Sequence, residues 1–235
     1  MPLRLVSYNI HRCYGSAGYY DPESIKAVID SLDAHVIALQ EVELPHRDPG
    51  LLDFLCAGKP WRALHGITMN STSGHYGNAL LTALPVLSIN RLDLSVAGRE
   101  PRGALHVLLD NHGQKLEVMA THLGLRPAER RMQIQALLLH LQASPEEHTK
   151  VLLGDLNEWF LWGRPLRWLH RHFSSTPAPR TFPARWPVFA LDQIWVNPRE
   201  KLARLSAPRS PLIRQASDHL PLVAELGDKI VPGNP

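Results

Sequence analysis

The chain has 235 residues, of which 44% are hydrophobic and 20% charged, and its formal net charge is +3. These proportions exclude a disordered polypeptide and fit a globular protein long enough to bury a substantial core. The small positive charge permits an anionic substrate but does not by itself demonstrate nucleic-acid binding. Because 235 residues is a typical length for one α/β domain, we expect a single domain spanning residues 1–235.

The two cysteines, Cys13 and Cys56, lack the spacing of a disulfide framework or of a CxxC metal site. Both are expected to be reduced thiols. The N-terminus enters a strand-like alternation directly at Leu3, with no signal-peptide pattern, and no apolar stretch is long enough to cross a membrane. The expected location is the cytoplasm.

The N-terminal region predicts a β-α-β unit. Leu3–Asn9 alternates as a strand that ends on an asparagine, and Asp21–Glu23 provides a helix cap, a first-turn proline and an early acid. The apolar residues of this helix follow at helical spacing: Ile25, Val28, Ile29 and Leu32. His35–Gln40 is typical of a buried strand and ends at Glu41. Asn9 and Glu41 are therefore expected at the carboxyl ends of two strands.

The middle of the chain predicts closely spaced strands followed by a helix. The candidate strands are Asn78–Thr82, Val86–Ile89, Gly103–Leu108 and Leu116–Thr121. Their spacing favours antiparallel pairing, and the last of them runs into His122. A second helix follows Arg126 and Pro127, and its apolar face comprises Ile134, Leu137, Leu138 and Leu141.

The C-terminal third predicts strands separated by loops. Val151–Leu153 is a strand that breaks into the turn Asp155-Leu156-Asn157. The remaining predicted strands are Leu191–Val196 and Leu220–Leu226, and the predicted loops are residues 174–188 and Pro208–Ser217. Strands mixed with a few helices in this way are typical of a layered α/β sandwich.

Polar side chains lie at or beside the ends of most of these strands. They are Asn9, Glu41, His122, Asp155, Asn157, Asp192, Asp218 and His219. Carboxylate and amide oxygens without a thiolate suit Mg²⁺ or Mn²⁺ better than zinc. Because Mg²⁺ usually keeps positions for water and for substrate phosphate oxygens, this pattern points to phosphate ester chemistry.

His219 is the natural general base, since only imidazole has an unperturbed pKa near physiological pH. Such a base needs a carboxylate to fix its tautomer and stabilise the imidazolium. Asp192 and Asp218 both qualify; Asp192 is favoured because neighbours in sequence rarely face each other at a strand end. General acid–base catalysis contributes only about 10²–10⁴-fold, so a metal and other polar donors must supply the remainder of the rate enhancement.

A series of short motifs runs through the chain in a fixed order. They are Ser7–His11, Leu39–Val42, Gly77–Leu81, Thr121–Leu123, Gly154–Asn157, Leu191–Ile194 and Ser217–Pro221. As an ordered set they resemble the motifs of the endonuclease/exonuclease/phosphatase superfamily, the DNase I-like metal-dependent phosphoesterases. Each motif alone is unspecific, but the resemblance covers nearly the whole chain.

This resemblance implies an α/β fold, a four-layer α/β/β/α sandwich of two mixed, largely antiparallel sheets with the site in a cleft at one end. The resemblance assigns Glu41 and Asn9 as ligands of Mg²⁺ or Mn²⁺. It implies that Asp155 and Asn157 orient the water or a phosphate oxygen and that His122 stabilises the charge on phosphorus. It also implies that His219 is the base, supported by Asp192, and that Asp218 assists at the metal or the nucleophile. Asn78 and Arg102 are candidate substrate-binding residues, and Arg102 could hold a phosphate with two hydrogen bonds. The alternative for Asn78 is a structural role, and the alternative for Arg102 is a solvated charge in a loop.

The expected reaction is in-line attack of an activated water on a phosphodiester. Nucleic acid, a phospholipid headgroup and a small phosphate ester are the candidate substrates, and the alternative is a non-catalytic binding or scaffold protein with the same fold. Apurinic-site endonucleases of the superfamily usually carry an acid where this chain has His11. That departure, with the short chain, argues against a DNA-repair nuclease.

Residues 159–172 have an unusual aromatic and basic composition. One hypothesis is a rim beside the site, with Trp159 and Trp162 stacking on bases or resting in a membrane interface. The favoured interpretation is a packed helix with Leu166, Leu169 and Phe173 inward and arginines outward.

Overall fold

The computed structural model describes residues 2–46, 50–70, 72 and 74–227. Its strands are β1 (Leu3–Asn9), β2 (Val36–Pro45), β3 (Arg62–Asn70), β4 (Gly74–Thr82), β5 (Val86–Asp93), β6 (Gly103–Asn111), β7 (Gln114–His122), β8 (Thr149–Asp155), β9 (Asp192–Asn197), β10 (Leu202–Ser206) and β11 (Leu222–Leu226). Its α-helices are α1 (Pro22–Ser31), α2 (Leu51–Cys56), α3 (Pro127–Gln142), α4 (Arg164–Phe173) and α5 (Pro211–Ala216). Within the described ranges, no helix is long and apolar enough to span a bilayer.

The strands form two sheets that pack face to face. One sheet has the order β10-β11-β1-β2-β4-β3 and the other has the order β5-β6-β7-β8-β9. Only the β1–β2 and β7–β8 pairs are parallel among the pairs within these sheets. Mixed, largely antiparallel sheets are therefore confirmed.

Three apolar clusters separate four layers. The central cluster joins inward residues of both sheets, for example Leu5 of β1 with Leu153 of β8. A second cluster packs α1, α2 and α5 on the outer face of the first sheet, where Val6 of β1 lies. The third packs α3 and α4 on the outer face of the second sheet, where Leu152 lies. This arrangement confirms the predicted α/β/β/α sandwich, and it follows from strands whose two faces are both apolar.

The predicted helix starts are confirmed where a cap specifies them. Asp21 accepts a hydrogen bond from the backbone N–H of Ser24 at 3.0 Å and precedes Pro22, so α1 begins as its sequence predicts. In α4 the side chains of Leu166, Leu169 and Phe173 are buried, which confirms the packed-helix interpretation.

The structure corrects two boundaries. Pro208–Ser217 is not wholly a loop, because α5 forms within it and Ser210 caps it by accepting from the Ile213 N–H at 3.2 Å. Strand β2 does not end at Gln40 but continues to Pro45 through an irregularity between Leu39 and Val42. The sequence pattern does not predict α2, β3 and β10, which are short or lie at sheet edges.

Candidate active site

The register of β7, β8 and β9 brings polar strand ends together. His122 of β7 pairs with Asp155 of β8, and Asp155 also pairs with Asp192 of β9. Because alternate residues of a strand face the same side, His122 follows the inward Ala120 and Asp155 follows the inward Leu153. Strand alternation therefore aims these polar groups into the space between the sheets.

Gly154 makes this strand end possible. Its φ is +149°, and a Cβ placed on it would lie 1.8 Å from the backbone oxygen of Thr121. A side chain at this position would separate β8 from β7. The glycine in the Gly-Asp-Leu-Asn motif is thus required for the close approach that sets Asp155 beside His122.

Glu41 reaches the site through a β-bulge. Leu39 and Val42 both belong to the outer cluster although they lie three positions apart, so one extra residue is accommodated between them. Regular alternation would point the Glu41 side chain outward together with Leu39. The bulge and a positive φ of 56° at Glu41 turn its carboxylate towards Asn9 instead. Strained backbone of this kind is concentrated at functional sites.

Asn9 holds two carboxylates together. Its Nδ2 donates to Glu41 Oε1 at 3.0 Å and to Asp155 Oδ2 at 3.1 Å, so it joins groups from both sheets. Its Oδ1 accepts from the backbone N–H of His11 at 3.0 Å. Asn9 therefore offers nitrogen to the carboxylates, and it can offer oxygen to a cation only if its amide turns over and breaks the contact with His11.

His219 and Asp192 form a buried pair across the two sheets. Asp192 Oδ2 lies 2.8 Å from His219 Nδ1, and the other ring nitrogen faces Asp155 Oδ2 at 3.7 Å. Burial alone lowers the pKa of His219, but the Asp192 carboxylate, with smaller effects of Asp155 and Asp218, raises that pKa to about 10. Asp192, rather than Asp218, is thus the hydrogen-bonded partner of the imidazole.

Ser217 fixes the loop that carries His219. Its hydroxyl donates to the backbone oxygen of Asn9 at 2.8 Å and accepts from the His219 N–H at 3.2 Å. The Asp218 side chain is 39% exposed and lies 3.9 Å from His11 Nδ1. Asp218 is therefore beside the cleft, but it makes no hydrogen bond to the His219 ring.

His122 is held between Arg102 and Asn157. An Arg102 guanidinium nitrogen lies 3.1 Å from His122 Nδ1, and Asn157 Nδ2, which donates to the Leu123 backbone oxygen at 2.9 Å, lies 3.0 Å from Nε2. Both neighbours are nitrogen donors, so a neutral ring can accept from only one of them; when Nδ1 accepts from the Arg102 guanidinium, the ring hydrogen is on Nε2, which also faces Asp155 Oδ2 at 3.6 Å. Burial lowers the pKa of His122 to about 3, with Arg102 reinforcing the effect and Asp155 opposing it. The lowered pKa of His122 therefore favours its neutral form, whereas the raised pKa of His219 favours its charged form.

Asn157 is positioned by its own backbone. Its N–H donates to Asp155 Oδ1 at 2.9 Å and its φ is 50°, which is an Asx-type turn closed by the preceding acid. Glu158 follows and forms a buried ion pair with Arg130 of α3 at 3.2 Å. This pair is not predicted from the sequence, where its only signal is the acid directly after the Gly154–Asn157 motif.

Asn78 lies apart from these contacts. Its Nδ2 donates to the backbone oxygen of Gly103 at 3.3 Å, so it connects β4 of one sheet to β6 of the other. The hydroxyl of Thr121 donates to the same oxygen at 3.0 Å. The structure therefore shows Asn78 engaged in a contact between the sheets, whereas Arg102 contacts a site histidine directly.

Two sets of groups are close enough to consider for a metal ion. The ligand atoms of Asp155, Asp192 and His219 lie within 4.8 Å of one another. However, the 2.8 Å hydrogen bond between His219 and Asp192 already uses both of these groups. Glu41 and Asp155 instead converge on a single amide nitrogen of Asn9 and present only oxygen atoms, the ligand type that Mg²⁺ and Mn²⁺ prefer.

The fold and this site together define a DNase I-like architecture with acids, amides and histidines gathered between two sheets. The family model described as Endonuclease/Exonuclease/phosphatase family matches residues 6–219, and the chain belongs to this family.

Known proteins resemble this chain over nearly its whole length. The uncharacterized protein YbhP of Escherichia coli (strain K12) is 32% identical over an alignment of 248 positions that covers 95% of each protein. The endonuclease/exonuclease/phosphatase from Bacteroides vulgatus superimposes with a TM-score of 0.79 at 19% identity, covering 97% of this chain and 99% of that one. D. rerio TDP2, solved in complex with a single-strand DNA product, superimposes with a TM-score of 0.69 at 15% identity, covering 96% and 98%.

Proposed function

We propose that this protein is a divalent-cation-dependent phosphodiesterase that hydrolyses a P–O bond by in-line attack of water. The observation that carries this proposal is that the two histidines beside Asp155 favour opposite charge states. His219 is bonded to a carboxylate and favours a bound proton, whereas His122 is neutral and donates from Nε2. One group suited to accept a proton and another suited to stabilise an oxyanion are the parts that phosphoryl transfer requires.

The residues divide the reaction between them. His219 takes the proton of the attacking water at Nε2, and Asp192 fixes its tautomer through Nδ1 and stabilises the imidazolium. Asp155, 3.7 Å from that nitrogen, orients the water. His122 Nε2–H and the Asn157 amide donate to the phosphate oxygens as negative charge builds on them. The alkoxide of the ester departs on the opposite side of phosphorus.

Mg²⁺ or Mn²⁺ fits the oxygen donors of Glu41 and Asp155, with Asn9 as a further ligand if its amide turns over. The structure supports this fit because two carboxylates converge on one amide nitrogen. When bound there, a divalent cation supplies positive charge that lowers the pKa of His219 and stabilises negative charge on phosphate oxygens.

Three substrate classes share the phosphodiester group that the proposed site would bind. The TDP2 structure contains single-strand DNA, which makes a nucleic-acid backbone one candidate. A phospholipid headgroup and a small soluble ester present the same phosphodiester. All three would use the groups described above, so the proposed reaction does not depend on which one is natural.

A model diester such as bis(p-nitrophenyl) phosphate tests the proposal with Mg²⁺ or Mn²⁺ present. His219→Ala and Glu41→Ala should each abolish hydrolysis. His65→Ala on β3 and Glu43→Ala on β2 are matched controls, because they remove the same side chains away from the contacts described and should retain activity. Full activity in the His219→Ala protein, or absence of cation binding in calorimetry, would instead favour a non-catalytic binding protein with this fold.

A further inference from the structure

An exposed apolar surface borders the candidate site. It consists of Trp159–Trp162 together with Val188 and Phe189, which we call the aromatic rim. All six of these residues are exposed, although the Trp159 and Phe189 rings also contact each other. Trp162 is the most open, with a relative exposure of 73%. A concentration of large apolar side chains like this marks a surface that binds a partner.

Ring contacts connect the rim to His219. The Trp159 ring lies 4.9 Å from the Phe189 ring and 6.0 Å from the Phe182 ring. Phe182 in turn packs on the imidazole of His219, with 4.8 Å between ring centroids. A partner seated on the rim therefore lies next to the mouth of the cleft.

The rim projects one apolar tip. The Gly163 N–H donates to the Phe160 oxygen at 2.8 Å, which closes a turn with Leu161 and Trp162 at its corners. Trp162 packs against Phe160 with ring centroids 5.3 Å apart. The tip therefore presents an aliphatic and an aromatic side chain together in solvent.

A row of arginines continues directly from this tip. Helix α4 starts after Gly163 and exposes Arg164, Arg167 and Arg171 on the face opposite its buried leucines. Among the described residues, none of these arginines has a carboxylate partner within ion-pair distance. The sequence from residue 159 to residue 191 holds five arginines and no aspartate or glutamate. The surface is thus both apolar and uniformly positive.

We propose that the aromatic rim and the α4 arginines dock on the surface of an anionic phospholipid bilayer. Tryptophan favours the membrane–water interface, where its ring is half in the apolar region, and arginine attracts anionic headgroups. Aliphatic Leu161 and Val188 add apolar area that inserts among acyl chains but gives nothing to base stacking. The rings of Trp159, Phe160 and Trp162 contact other rings of the rim, which leaves fewer free faces for nucleic-acid bases.

Docking in this orientation brings headgroup phosphodiesters to the cleft beside His219. This second part rests on the proposed phosphodiesterase function, whereas the docking does not. The lipid surface and the catalytic groups can therefore be tested apart.

Co-sedimentation of the full chain with vesicles measures the docking. Phosphatidylcholine vesicles with phosphatidylglycerol should bind the protein, and vesicles of phosphatidylcholine alone should bind it much less. Trp162→Ala should lower the bound fraction, whereas Tyr19→Ala, an exposed aromatic residue before α1, should not. Because one arginine near an anionic surface contributes roughly fivefold to affinity, Arg167→Gln with Arg171→Gln should lose roughly 25-fold. Arg62→Gln with Arg204→Gln, on the edge strands of the first sheet, removes equal charge and should retain binding.

Hydrolysis of the soluble model diester is measured for each variant in parallel. A rim or arginine variant that loses vesicle binding but keeps its activity supports docking. A variant that loses activity but still binds vesicles counts against the catalytic proposal and leaves docking supported. No binding to anionic vesicles, or binding that Trp162→Ala leaves intact, overturns the docking proposal. Salt-sensitive binding of a single-stranded oligonucleotide that the same rim variants abolish, without vesicle binding, would assign the surface to nucleic acid instead.

Discussion

Replacing Asp192 with asparagine tests the arrangement of the base most directly. The substitution keeps the shape of the side chain but removes the charge 2.8 Å from His219 Nδ1. The imidazole then loses the group that fixes its tautomer and stabilises its charged form, so the pKa of His219 falls from about 10. We expect kcat on a model diester to fall by about 10³–10⁴-fold with little change in KM, since this interaction strengthens in the transition state.

The same variant changes how stability depends on pH. The pKa of His219 is raised in the folded protein from 6.5 to about 10, so the stabilisation from its charged form is fully present below pH 6.5. It is lost as the pH rises through the range from 6.5 to 10. Breaking a buried ion pair costs roughly 3–5 kcal/mol, which sets the scale of this loss. Urea unfolding in EDTA should show the decline in the wild-type protein and a flatter profile in Asp192→Asn.

Asp53→Asn, on the exposed face of α2, is the matched control and should leave both measurements unchanged. The interpretation of the His219–Asp192 pair is refuted if Asp192→Asn retains more than about a tenth of the wild-type kcat. The interpretation is also refuted, independently of catalysis, if the free energy of unfolding of Asp192→Asn declines with pH as steeply as that of the wild-type protein.

Three other changes have defined outcomes. Dialysis against EDTA should abolish diester hydrolysis and added Mg²⁺ or Mn²⁺ should restore it; activity that persists after dialysis would contradict the need for a cation. Gly154→Ala should lower the free energy of unfolding in urea by more than about 3 kcal/mol, or prevent folding, because its Cβ meets the Thr121 oxygen at 1.8 Å. Gly113→Ala, in an open turn, should cost only about 1–2 kcal/mol, and equal costs would contradict the steric argument. Tyr8→Phe should raise the free energy of unfolding by about 1 kcal/mol, since the buried Tyr8 hydroxyl has no hydrogen-bond partner among the described residues; a decrease would show that the hydroxyl is bonded.

The sequence predicts well those features that depend on local pattern. The apolar runs of β1 and β8 are recognisable because both faces of these strands are buried, and Asp21 with Pro22 marks the start of α1. The resemblance to a superfamily then orders the polar strand ends into one site. The structure brings Asn9, Glu41, Asp155 and the two histidines together, although their roles remain predictions.

The features that sequence misses depend on contacts between distant segments. Alternation along β2 would place Glu41 outward, and only pairing with β4 shows the bulge that reverses it. The predicted loop before Ser217 contains α5 because Ile213 and Ala216 bury against the first sheet. Likewise, the contacts of Asn9 Nδ2 with Glu41 and Asp155 join three strands of two sheets, which the sequence around Asn9 does not predict.

The two sheets contribute different halves of the reactive pair. Asp192 begins β9 of one sheet, whereas His219 lies just before β11 of the other. The thickness of the apolar layer between the two sheets, which includes Leu153 and Leu222, therefore sets the distance between the His219 imidazole and the Asp192 carboxylate. Misplacement of reacting groups by about 1 Å can cost about 10²-fold in rate. The proposed catalysis is thus tied to the volume of side chains that have no proposed contact with the substrate.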